Sequence, residues 1–199
     1  GGIQDLRGCW AQGRGGGGRA RVVLDAGHDA PGANIEFLVM RLLRVGRLGA
    51  FGFNSRFYAD DDLMAGAADP VQLFRIMHEI VLADALRPDS GVSFTLDQCH
   101  NIEPKIPGQI RSIMNVQEAT AKALLVDHKA LAATQQAGDV LGAHGMLMDA
   151  YNTDVRGILG DLRETKGLDR DPMAAFARSG YLEQVAAERV GGDKAGWGA

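Results

Sequence analysis

Three times between residues 21 and 126 a short apolar run gives way to a turn rich in Gly, Pro or Asp and then to a helix with one apolar face. That repeat constrains the fold more than any other feature of the chain. The first unit has a strand over Arg21 to Asp25 and a helix from about Asn34, with Ile35, Leu38, Leu42 and Val45 on one face and Gly46 as its stop. The second has a strand over Ala50 to Asn54, an acidic loop, and a helix opened by Asp69-Pro70, the favoured order of cap and first-turn proline. Leu73, Ile76, Met77, Ile80 and Val81 of that helix recur at helical spacing. The third has a strand over Val92 to Asp97 and a long helix opened by Pro107, carrying Ile110, Ile113, Met114, Ala121, Leu124 and Leu125. Strands and helices in alternation predict an α/β fold with parallel strands joined by right-handed crossovers.

The flanks differ. Residues 1–20 are dominated by Gly and Arg, have no periodic apolar face, and read as a disordered segment. After Val126 the pattern is helical, with segments expected over Leu131 to Tyr151, Thr153 to Lys166 and Pro172 to Val190, before the chain ends in GGDKAGWGA. The division is therefore 1–20, 21–128 and a helical extension over 129–199.

At 199 residues and 46% hydrophobic, the chain is long enough for one substantial core. A net charge of −4 leaves no basic excess for a nucleic-acid partner. No run approaches the roughly 18 apolar residues that cross a bilayer, and no secretory leader is visible. Cys9 and Cys99 are too few and too far apart for a disulfide framework. The expectation is a cytoplasmic protein with no membrane partner.

Parallel strands present their C-terminal ends on one rim, so Asp25, Asp97 and the Asp60 and Asp62 pair are predicted to gather there. Alternation along an extended loop would aim Asp60 and Asp62 at one point and Asp61 away. His28 follows Asp25 across a short turn. Carboxylates crowded in this way repel unless a cation neutralises them. Oxygen ligands with one nitrogen suit Mn²⁺, Mg²⁺ or Co²⁺ better than structural zinc.

Each element has an ordinary alternative. An acidic triplet is commonly a solvated loop, His28 a turn histidine, Asp97 and His100 a strand-end cap and a core imidazole, and Cys99 a small buried hydrophobe. The GRGGGGR tract lacks the flanking strand and Lys-Ser/Thr of a phosphate loop. As an Arg-Gly segment it could bind RNA weakly, but it reads better as a flexible tail. His78, His128 and His144 receive no chemistry at this level.

The stretches VVLDAGHDAPGANIE, FNSRFYADDDLMAGAADPVQLFRIMHEIV and LDQCHNIEPKIPGQIRSIMNVQEATAKALL resemble the L-rhamnose isomerase and related sugar isomerase family of xylose isomerase-like barrels. The resemblance runs from about Arg21 to the end. It implies the last three or so βα units of a TIM-type (β/α)8 barrel followed by a helical extension, a sugar substrate, conversion of aldose to ketose, and a homo-oligomer. It also implies roles: Asp25 bridging two cations, His28, Asp60 and Asp62 holding the catalytic one, and Asp97 serving the structural cation and positioning the water that relays protons. Asp97 is thus the expected catalytic residue.

Two departures accompany it. Gly52 stands where the family places a side-chain ligand, and the family's Glu, with a Lys two residues on, would fall before residue 1. On that alignment the chain begins at the sixth strand, with open sheet edges and a tendency to associate. The alternative is a catalytically inactive fragment or interaction module with a solvated acidic loop.

Overall fold

The structure, a computed structural model, describes residues 20–30, 32–99 and 102–189. The Gly/Arg-rich segment, apart from Ala20, lies outside the described residues, as do Cys9, His100 and residues 190–199. Three parallel strands form one sheet in the order β1 (Val22–Asp25), β2 (Leu48–Phe53), β3 (Ser93–Leu96). Among the described residues eight helices follow or separate them: α1 (Ile35–Arg44), α2 (Pro70–Leu82), α3 (Lys105–Leu124), α4 (His128–Gln136), α5 (Val140–Asn152), α6 (Arg156–Thr165), α7 (Pro172–Arg178) and α8 (Tyr181–Glu188). The α/β expectation holds, with three βα units.

The register sorts the strands into two faces. Leu24, Phe51 and Phe94 lie abreast, with Phe53 beside Leu96. Because side chains alternate along a strand, these residues share the face that the helices cover. Phe51 is fully buried and meets Phe53 edge-on at 4.8 Å between ring centres. Ile35, Leu38, Val39 and Leu42 of α1 and Leu73, Phe74, Ile76, Met77 and Ile80 of α2 complete this core. Val23, Ala50 and Ser93 share the opposite face, with Asp25, Gly52 and Thr95 one step further along. There Val23 is 72% exposed.

The helix starts follow the capping rules. Asn34 accepts from Phe37 N at 2.8 Å and Asp69 from Gln72 N at 2.8 Å, each satisfying a first-turn donor that has no partner within its own helix.

Four expectations are corrected. Val45 is 46% exposed and Val39 takes its place in the α1 face. Helix α3 begins two residues before Pro107, which a first turn tolerates because its missing N–H has no acceptor there. Its buried face is Gly108, Ser112, Ala119 and Ala123, whereas Ile113 and Leu124 are exposed. Small residues let α3 approach α2 closely, and that decides which face turns inward. The spans 131–151 and 172–190 are each broken, at Gly138 (φ +75°) and Gly180 (φ +63°), left-handed positions where glycine carries no steric penalty. No described helix is long and apolar enough to cross a membrane.

Candidate metal centre

All five expected ligands lie at the C-terminal ends of the strands, in two tiers. His28, Asp60 and Asp62 each offer one ligand atom within 4.8 Å of the others. The His28 Nε2 to Asp60 Oδ1 distance is 3.3 Å. Beneath them Asp25 is buried, with Oδ1 3.9 Å from His28 Nε2. Asp97 is exposed at the end of β3.

Asn54, the residue after β2, joins the tiers. Its buried side-chain amide donates to Asp25 Oδ1 (2.8 Å), Asp62 Oδ1 (3.2 Å) and the Asp97 carbonyl (3.1 Å). Arg56, two residues on, reaches the carbonyls of Gly27 (3.3 Å) and Ala30 (3.0 Å) and so holds the loop that carries His28. Neither residue was expected as part of the site. The available signal was polar residues directly after the central strand, where alternation places Asn54 on the same face as Gly52.

The acidic loop is built differently from the expectation. Asp60 and Asp62 do converge and Asp61 does turn away, but through turns and not through extended alternation. Asp61 Oδ2 accepts from Phe57 N (2.6 Å) and Tyr58 N (3.0 Å), and Asp62 sits at φ +48°, a conformation that Asp tolerates better than most residues. The loop is closed by paired backbone bonds between Ser55 and Leu63 (2.9 and 2.8 Å), and Cys99 N donates to the Asp62 carbonyl at 3.1 Å. Just beyond, Ala65 N donates to Ser112 Oγ at 3.1 Å and the Ala65 carbonyl accepts from Asn115 Nδ2 at 2.8 Å. Helix α3 therefore anchors the loop. Cys99 is exposed, which corrects its reading as a buried hydrophobe.

The electrostatics show a site short of positive charge. Burial raises the Asp25 carboxyl above its ordinary value, and the neighbouring Asp97 carboxyl raises it further. The hydrogen bonds from Gly27 and Asn54 and the nearby His28 act in the opposite sense. Asp62 is also raised, by burial first and then by the charges of Asp60 and Asp25.

Asp25 Oδ2 is buried and has no protein hydrogen-bond partner. It occupies the space above Gly52, where a Cβ would lie 2.3 Å from it and 3.4 Å from Asp97 Cβ. Gly52 thus makes room for the Asp25 carboxylate. An orphaned buried carboxylate oxygen beside a three-ligand cluster of one nitrogen and two carboxylates fits a divalent cation.

No family model matches the chain. It is similar to a probable sugar isomerase of Mesorhizobium japonicum, 44% identical over 174 residues, which cover 87% of this chain and 40% of the relative. A probable sugar isomerase of Rhizobium meliloti is 43% identical over 173 residues, covering 86% of this chain and 40% of the relative. The chain spans about two fifths of the length of these curated relatives.

Proposed function

We propose that this chain carries the cation-binding part of a metal-dependent aldose–ketose sugar isomerase of the L-rhamnose isomerase type, its three βα units belonging to a TIM-type barrel. The observation that carries the reading is the meeting of His28, Asp60 and Asp62 within 4.8 Å, above the unpartnered oxygen of Asp25. Similarity to two probable sugar isomerases supports it.

His28, Asp60 and Asp62 would hold one divalent cation, with Mn²⁺ the first choice and Mg²⁺ or Co²⁺ alternatives, and Asp25 would share it with a second. When bound, such a cation supplies Lewis acidity that lowers the cost of negative charge on the sugar oxygens. Asn54 fixes the directions of Asp25 and Asp62, and Arg56 fixes the loop that carries His28. Preset ligands lose little freedom on binding, which favours affinity. Asp97, exposed beside Asp25, would position the water that relays the proton as hydrogen moves between C1 and C2 of a small-molecule sugar. The working form is a cytoplasmic homo-oligomer.

Calorimetric titration of Mn²⁺ into the wild type and the Asp60→Ala, Asp62→Ala double variant tests the site. A wild-type isotherm that the double variant loses is expected. Identical isotherms would remove both residues from the site. An aldose-to-ketose assay on L-rhamnose with Mn²⁺ tests the activity.

A further inference from the structure

On the far side of α2 from the acidic rim's chemistry lies a pair of imidazoles with no role in it. His78, in the last part of α2, is 7% exposed, and His128 opens α4. Their ring centres are 5.0 Å apart with the planes inclined by 46°. His78 Nδ1 lies 3.5 Å from Glu79 Oε1, so the carboxylate contact engages the ring nitrogen other than Nε2. That Nε2 is buried without a protein hydrogen-bond partner, and so are both ring nitrogens of His128. Buried polar atoms are nearly always satisfied, so His78 Nε2 and one of the two nitrogens of His128, on adjacent rings, point to a shared ligand.

We infer that His78 and His128 form a second metal site, for a nitrogen-preferring divalent ion such as Zn²⁺, that clips α4 to α2. Two imidazoles on one tetrahedral zinc, each with its nitrogen about 2.0–2.1 Å away, place their ring centres about 5 Å apart. The observed separation meets that requirement. Glu79 stands as the carboxylate that orients a ligating histidine from its other nitrogen, a recurrent arrangement around metals. The Asp127 carboxylate is occupied as the cap of α4, accepting from Ala130 N at 2.9 Å.

Imidazole donors favour Zn²⁺, Ni²⁺ and Cu²⁺, whereas the carboxylates of the rim favour Mn²⁺ and Mg²⁺. The two centres therefore sort metals by donor type. The consequence for the fold is mechanical. Helix α4 packs chiefly on α5, and a metal held between residues 78 and 128 would tie the start of the helical extension directly to the sheet-covering layer, adding binding free energy to folding.

The test uses the full chain with Asp60→Ala and Asp62→Ala, which reduces the rim to His28, Asp25 and Asp97, and His128→Ala in that background isolates the share of the histidine pair. Zn²⁺ is titrated calorimetrically, Co²⁺ by the visible absorption of a low-symmetry nitrogen-bound ion, and melting is followed with and without Zn²⁺. One equivalent of Zn²⁺, a melting temperature raised by several degrees, and an affinity at least tenfold weaker in His128→Ala are expected. Glu79→Gln should weaken binding by about 10- to 100-fold, the usual cost of losing an orienting partner. An unchanged isotherm in His128→Ala, or no Zn²⁺ binding in the double variant, would overturn the site. Should His128→Ala lose its helical circular dichroism, imidazole nitrogen resonances decide with the double variant: a zinc-induced shift of His78 Nε2 supports the site and its absence rejects it.

Discussion

The two faces of the sheet obey different rules. On the helix-covered face Leu24, Phe51 and Phe53 are buried against α1 and α2, and packing decides every residue. On the other face Val23 is largely exposed, Ser93 and Thr95 are open, and the buried positions, Gly52 and Asn54, serve Asp25. One face carries the packed core and the other the acidic cluster. The polar residues of the second face make sense only as a setting for Asp25 and its neighbours.

The largest effect that could break this contrast is a cavity under the sheet. Phe51→Ala is expected to cost about 3–5 kcal/mol, the usual range for deleting a buried aromatic ring, while Val23→Thr stays within about 0.5 kcal/mol. Urea denaturation of the two variants checks this, and equal losses would mean that the open face is a second core.

Gly52→Ala comes next. Its methyl group would collide with Asp25 Oδ2 and force the carboxylate off Asn54 and Gly27. Hydrogen bonds to a charged group are worth about 1.5–3 kcal/mol, so a loss in that range is expected, together with weaker Mn²⁺ binding in the same titration. Full retention of both would show that the space above Gly52 is not reserved.

The smallest effect is a pH slope. Asp25 and Asp62 titrate above 3.8 in the folded state, so between 3.8 and the raised values the native protein holds more protons than the unfolded chain. Stability contributed by these groups therefore falls as pH rises through that window and stays lower above it. Asp62→Asn should flatten this decline in metal-free protein, measured by denaturation at several pH values. A variant with the same slope as the wild type would clear Asp62 of any part in it.

Much of this was legible in the residues, for physical reasons. The strands and the helices α1 and α2 carry strong periodicity and explicit caps, and the rim location of Asp25 and Asp97, at the ends of β1 and β3, follows from parallel topology alone. What could not be read were contacts made in three dimensions. Asn54 looks like any polar residue at a strand end until its amide is seen to meet three separate segments. The inward face of α3 was misjudged because the buried core takes the small Ala119 and Ala123, and Gly108 sits against Gln98 and Glu103, while the larger Ile113 and Leu124 stay exposed. Gly138 and Gly180 break helices that apolar patterning alone runs together.

The backbone clasp between Ser55 and Leu63 has an electrostatic consequence. Because it fastens both ends of the DDD segment, the fold holds these acids in one another's company against their mutual repulsion. A cation binding there would meet a crowded enclosure and would relieve repulsion already present in the polypeptide.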